Sequence, residues 1–147
     1  KCEPGRYVAA ECGVVLGRVH SIKENYGNVY VGTDIGFNVL ARPLIYDSYH
    51  EISVLPEQSS GKEYEGNLSV VGNICESGDI LAKGRDIGKV KEGDIVVVSN
   101  AGAYGYSMAS NYNCRLRPAE VLIREDGRVE LIRERDSLES LLQNFPQ

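Results

Sequence analysis

Apolar and polar residues along this chain mostly alternate at the two-residue spacing of half-buried strands, from Val14 onward. Val29 and Val31 alternate with Tyr30 and Gly32, and Ile52 and Val54 with Ser53 and Leu55. Ile95, Val96, Val97 and Val98 form a continuous apolar run after the turn signature Lys91-Glu92-Gly93-Asp94, a pattern that predicts a fully buried strand. Val121–Ile123 and Val129–Ile132 flank Glu125-Asp126-Gly127, whose Asp-Gly pair predicts a tight hairpin turn. Residues 56–66 read as a polar loop between strands. The 16 glycines punctuate these runs at short spacing, and the whole predicts a mainly β chain, a barrel or sandwich with Greek-key character.

Two helical pieces stand apart from the strands. Tyr7 to Glu11 follows Gly5 and predicts a short opening helix. Near the other end, Asp136 is placed to cap a helix, with Glu139 three residues on. Leu138, Leu141, Leu142 and Phe145 then make one apolar stripe, expected to pack on the barrel.

Composition narrows the class. At 147 residues, 42% hydrophobic and 25% charged, the chain suits one soluble globular domain with a core of its own. A net charge of -5 speaks against nucleic acid or an anionic membrane as partner. No apolar run approaches the roughly 20 residues that span a bilayer, and no signal-peptide pattern opens the chain. Cys2, Cys12, Cys75 and Cys114 include no C-x-x-C pair, and His20 and His50 are the only histidines, so zinc-ligand spacing is absent and no metal is expected. Reduced thiols and a cytoplasmic location, or a plastid one in a plant, are the expectation. Residue 1 is lysine and the only methionine is Met108, which suggests that the chain begins inside a longer protein.

Four stretches carry more reactive side chains than strand packing requires. In Glu3-Pro4-Gly5-Arg6, a glycine and an arginine before a helix start fit a phosphate, through free N–H groups, the helix dipole and the guanidinium. The same four residues fit a plain turn with a surface arginine, which is the commoner case. In "RPLIYDSYH" (42–50), Pro43 biases Arg42 to extended backbone, and a strand would put Arg42 and Tyr46 on one face as a carboxylate clamp. Tyr46 and Tyr49 fit equally well as aromatic packing on a sheet. "GNICESGD" (72–79) is a loop with a thiol and two acids; Cys75 suits a proton donor and Glu76 an ammonium acceptor, although a lone cysteine is more often a small buried hydrophobe. In "AGAYGYSMASNYN" (101–113), small residues flank Tyr104 and leave its phenol free to donate to an anion; a glycine-rich turn with aromatic filler explains the pattern too.

Taken jointly, these segments resemble the carboxy-terminal part of the diaminopimelate decarboxylases, members of the fold-type III pyridoxal-phosphate decarboxylases. The resemblance is carried by "EPGRYVAAECGVVLGRV", "DIGFNVLARPLIYDSYH", "VVGNICESGD", "EGDIVVVSNAGAYGYSMASNYNCRLRPAEVLI" and "LIRERDS", which run nearly end to end through the chain. It implies that residues 1–13 are the end of a cofactor-binding (β/α)₈ barrel, its last strand and following helix, and that residues 14–147 are the β-barrel domain. It also implies pyridoxal 5'-phosphate as cofactor, with the Schiff-base lysine in the barrel region outside this chain.

Carried over residue by residue, the resemblance places Glu3 at the pyridinium nitrogen, with Pro4, Gly5 and Arg6 beside the cofactor. Gly5 and Arg6 would lie at its phosphate, and Arg6 would also reach substrate. Tyr104 would touch phosphate and substrate, and Arg42 and Tyr46 would hold the far carboxylate. Glu76 would bind the far ammonium, and Cys75 would donate the proton that replaces carbon dioxide. The implied reaction is decarboxylation of meso-2,6-diaminopimelate to L-lysine, the last step of lysine biosynthesis. It would run in a homodimer whose Cys75 and Glu76 reach the partner's site.

That substrate has two identical amino-acid ends, so only groups that fix the far end can select which end reacts. An arginine with a glutamate is the smallest reader of such an end. Phe37 stands where methionine is expected, and Cys114 where a small polar residue is usual. The rival readings are a related decarboxylase of ornithine, arginine, lysine or carboxynorspermidine, and a non-catalytic β module that serves as dimer partner or inhibitor.

Overall fold

A computed structural model describes residues 1–146. The chain divides into two compact units, Lys1–Ala109 and Ser110–Gln147.

The first unit is built on an open six-stranded sheet of order β3-β6-β1-β2-β4-β5. Its strands are β1 (Val15–Asn25), β2 (Asn28–Thr33), β3 (Ile52–Leu55), β4 (Leu68–Val71), β5 (Ile80–Arg85) and β6 (Ile95–Val98). All pairings are antiparallel except β2 with β4, which run parallel. The register brings inward residues into cross-strand pairs: Ile52 faces Val98, Val54 faces Val96, and Val31 faces Val70. Val31, Leu68, Val70, Val96 and Val98 are wholly buried, so a slip of one residue would turn this set to water. The expected mainly β architecture is thus present. The run Ile95–Val98 alternates rather than being buried throughout: Val96 and Val98 point inward while Ile95 and Val97 are half-buried. One face of an antiparallel strand suffices for the core here.

Helix α1 (Arg6–Ala9) opens the unit and tightens into a 3-10 turn at Ala10–Cys12. It is tied to the 101–105 loop, because Gly102 N donates to Ala10 O at 3.0 Å and Ala101 N donates to Gly13 O at 2.8 Å. Residues Arg42–Tyr46 form the one-turn helix α2 rather than the expected strand. The reason is local. Proline is well tolerated in the first turn of a helix, where its missing N–H has no intrahelical partner anyway. Arg42 and Tyr46 still share a face, by the four-residue helical spacing instead of strand alternation.

The second unit holds the hairpin of β7 (Glu120–Ile123) and β8 (Val129–Arg133), with Gly127 at φ +83° in the predicted turn. Helix α3 (Leu138–Leu142) follows, capped by Ser137 in a reciprocal pair with Ser140, not by Asp136. Asp136 is committed elsewhere. Its carboxylate accepts from Arg117 Nε at 2.8 Å, from Arg117 N at 3.0 Å and from Asn111 Nδ2 at 2.9 Å. Within this unit Leu138, Leu142 and Phe145 are exposed, and none of the residues of α3 is buried. A helix of little more than one turn ends before its apolar stripe can form a continuous buried face.

The Arg117 side chain, against an opposing effect of burial, holds the Asp136 carboxyl well below the usual carboxylate range, with Asn111 and the Arg117 N–H adding to the effect. A depressed folded value means that this stabilisation is complete above the ordinary carboxylate range. It is lost as pH falls through that range toward the folded value. Replacing Asp136 by alanine is expected to cost the 110–146 segment on the order of 2–3 kcal/mol. Amide hydrogen exchange in the full-length protein checks this: β7 and β8 should lose protection while β1–β6 keep theirs.

Candidate active site: an arginine–tyrosine cluster

Within the first unit, segments far apart in sequence meet around a group of unneutralised cations. The Arg42 guanidinium stands 5.3 Å from the Tyr46 ring centre and 5.7 Å from that of Tyr104, and its Nη2 donates to Ser48 Oγ at 3.1 Å. Such cation–aromatic contacts are worth about 0.5–1 kcal/mol each at partly exposed positions, enough to bias the side chain's direction. Tyr104 is held at φ +58°, a conformation few non-glycine residues adopt. Its neighbour Gly105 packs so closely on the Ala101 carbonyl that no β-carbon fits there. The Tyr104 hydroxyl in turn occupies the space a β-carbon at Gly5 would need, which brings the opening loop into the cluster.

Arg6 and Arg42 each have a buried Nε with no hydrogen-bond partner. Among the described residues, none of Arg6, Arg42 and Arg85 pairs with a carboxylate. Their charges converge on His50, which is wholly buried. Burial holds its imidazole below the ordinary value; the Ser99 carbonyl opposes this, and the Arg6, Arg42 and Arg85 charges reinforce it. Orphaned guanidinium donors without counter-charge are an anion-binding arrangement. The helix α1 adds little to it, since one turn carries only a fraction of a helix dipole.

The loop between β4 and β5 carries Cys75 and Glu76, both exposed. Asp79 fixes its shape from within: the buried carboxylate accepts from Ile74 N at 2.8 Å and from Phe37 N at 2.7 Å. Gly36 and Gly72 leave room for that carboxylate, because a β-carbon at either would overlap it. Gly78 likewise packs against Leu44 of α2, so the loop is seated beside the helix that bears Arg42 and Tyr46.

Of the residues singled out in the sequence, Gly5, Arg6, Arg42, Tyr46 and Tyr104 come together. Glu3 and Pro4 lie exposed just ahead of α1, and no hydrogen bond among the described residues joins Cys75 or Glu76 to the cluster. Tyr46 and Tyr49 are not sheet packing, being 59% and 64% exposed. Tyr49 stacks on Arg85 at 4.3 Å and donates to Glu51. His50, Arg85 and Asp79 were given no role by sequence reasoning. His50 sat inside the arginine–tyrosine stretch and could have been found there; Arg85 had no local signal at all.

Residues 6–102 match the family described as pyridoxal-dependent decarboxylase, C-terminal sheet domain. The diaminopimelate decarboxylase of Methanothermobacter thermautotrophicus is 47% identical over 146 residues, covering 98% of this chain and 33% of that protein. That of Archaeoglobus fulgidus is 46% identical over 141 residues, covering 96% of this chain and 33% of that protein. The crystal structure of diaminopimelate decarboxylase from M. jannaschii in complex with L-lysine superposes with a TM-score of 0.88 at 39% identity, over 99% of this chain and 32% of that one. The chain therefore spans about a third of the length of the relatives it matches. No helix among the described residues is long and apolar enough to cross a membrane. With that match over residues 6–102, the chain belongs to the pyridoxal-dependent decarboxylase family, as its carboxy-terminal sheet domain.

Proposed function

We propose that the whole protein is a diaminopimelate decarboxylase, converting meso-2,6-diaminopimelate to L-lysine and carbon dioxide. In this reading residues 1–13 close the cofactor-binding barrel and the remainder forms the sheet domain. The observation that carries the reading is the convergence of Arg6, Arg42, Tyr46 and Tyr104 on a site with orphaned guanidinium donors, neither arginine being ion-paired among the described residues. A ligand that carries a carboxylate at the end remote from the reaction suits it; ornithine, with no carboxylate there, would leave those donors unmatched.

The same residues fit pyridoxal 5'-phosphate at the inner end. The Tyr104 hydroxyl seated against Gly5 and the buried Arg6 Nε suit a phosphate as donors. When bound, the cofactor supplies an electron sink for the bond to the departing carboxylate. Glu3 would hold the proton on the cofactor's ring nitrogen. Arg42 and Tyr46 would orient the far carboxylate, Glu76 would accept from the far ammonium, and Cys75 would deliver a proton to the α-carbon. Cys75 and Glu76 are exposed and unattached to the cluster, which supports a homodimer in which they complete a partner's site.

A methyl group at position 5 would push on the Tyr104 hydroxyl, the free end of a side chain, rather than on backbone. Gly5→Ala in the full-length enzyme is therefore expected to leave stability nearly unchanged and to weaken cofactor retention about tenfold, as for one lost charge-assisted bond. Dialysis followed by the visible absorbance of bound cofactor reads this out. The function itself is tested by assaying the full-length protein on meso-diaminopimelate and on ornithine; a preference for ornithine contradicts the assignment.

A further inference from the structure

The cluster contains an orphan of the opposite kind to the two guanidinium donors. His50 is 0% exposed, its Nδ1 lies 2.9 Å from the Ser99 carbonyl oxygen, and its Nε2 is buried with no partner. A carbonyl oxygen only accepts, so the ring proton sits on Nδ1 and Nε2 presents a lone pair. The charged groups bearing on the ring are Arg6 from α1, Arg42 from α2 and Arg85 from β5. Arg85 is itself fixed, its Nη2 donating to the His50 carbonyl at 2.8 Å while its plane stacks on Tyr49. The flanking Tyr49 and Glu51 are exposed and bonded to each other. A buried neutral acceptor thus sits among arginines with unsatisfied N–H donors.

That combination has a purpose a carboxylate would defeat. An aspartate or glutamate at this position would orient a guanidinium equally well, but its charge would cancel the attraction for an anionic ligand. A neutral imidazole can accept an N–H, set the guanidinium plane and leave the positive charge whole. We propose that His50 is a positioning residue for the anion site: its neutral Nε2, unpartnered here like the Nε of Arg6 and of Arg42, takes an N–H from that pair when the substrate carboxylate binds and so aims their remaining donors at it. This deepens the proposed function and rests on it.

The test uses full-length holoenzyme and meso-diaminopimelate. His50→Leu removes the acceptor and is expected to raise KM about tenfold with kcat little changed, as for one hydrogen bond to a charged group. His50→Gln, neutral and still an acceptor, is expected to recover most of that loss. As a second readout, the KM of the wild type is expected to rise at acid pH, where protonation removes the lone pair and adds a fourth cation; the KM of His50→Gln should stay level. Equal KM values for the leucine and glutamine variants overturn the proposal. If the leucine variant does not fold, coincident KM–pH profiles for wild type and His50→Gln overturn it. A wild type that fails to turn over meso-diaminopimelate contradicts the proposed function and removes this inference with it, whereas turnover with coincident profiles contradicts the role of His50 alone.

Discussion

Replacing Cys75 by alanine in the full-length enzyme will lower kcat on meso-diaminopimelate by about 10²–10⁴-fold, the range of a lost general acid, while KM stays close to its original value. The thiol is exposed on a loop whose shape is set by Asp79 beneath it, so the substitution removes a proton donor without opening the core. Unfolding temperature should therefore be unchanged, which separates a chemical effect from a structural one. Rates of carbon dioxide release measured against substrate concentration give both constants. A kcat within a few-fold of wild type would remove Cys75 from the chemistry.

Arg42→Ala is expected to have the next largest effect, a fall in kcat/KM of roughly 10²-fold, from losing charge-assisted bonds worth about 1.5–3 kcal/mol. Alanine also frees Tyr46 and Tyr104 from the cation between them, so the phenols lose their common reference. Arg42→Lys should rescue only part of the loss. An ammonium restores the charge but not the planar fork, and it has no Nε–H. Steady-state kinetics of the two variants side by side measure the difference between charge and geometry.

How far these residues could be found without coordinates depended on the range of the interactions that fix them. Ile52 and Val54 alternate because one face of β3 is buried, and Asp126-Gly127 turns because Gly127 takes a positive φ; both are local facts written in adjacent residues. Where distant partners decide, local rules mislead. Asp136 looked like a helix cap, yet Arg117, 19 residues away, claims its carboxylate and the cap passes to Ser137. Pro43 suggested extended backbone at Arg42, but the chain entering from Ala41 is already helical and the proline falls in the first turn. The parallel pairing of β2 with β4 leaves no mark in either strand.

The site divides in the same way. Arg6, Arg42, Tyr46 and Tyr104 each stand out within their own segments, but only the resemblance of whole motifs joins them into one site, because no sequence distance encodes that Gly5 lies under the Tyr104 hydroxyl. His50 belongs to no motif of its own in the sequence, and Arg85 stands alone in a strand. Both acquire meaning only once the fold sets their charges around one buried ring.

The central claim is that Arg42 reads the carboxylate at the far end of the substrate. The most direct test compares meso-diaminopimelate with D-lysine as substrates for wild type and Arg42→Ala full-length enzyme, because D-lysine has the configuration of the end that must react to leave L-lysine and keeps the far ammonium but lacks the far carboxylate. The expected result is that kcat/KM for diaminopimelate falls about 10²-fold while that for D-lysine, low from the start, is unchanged, so that their ratio collapses by the same factor. An equal fall for both substrates, with the ratio preserved, would contradict it.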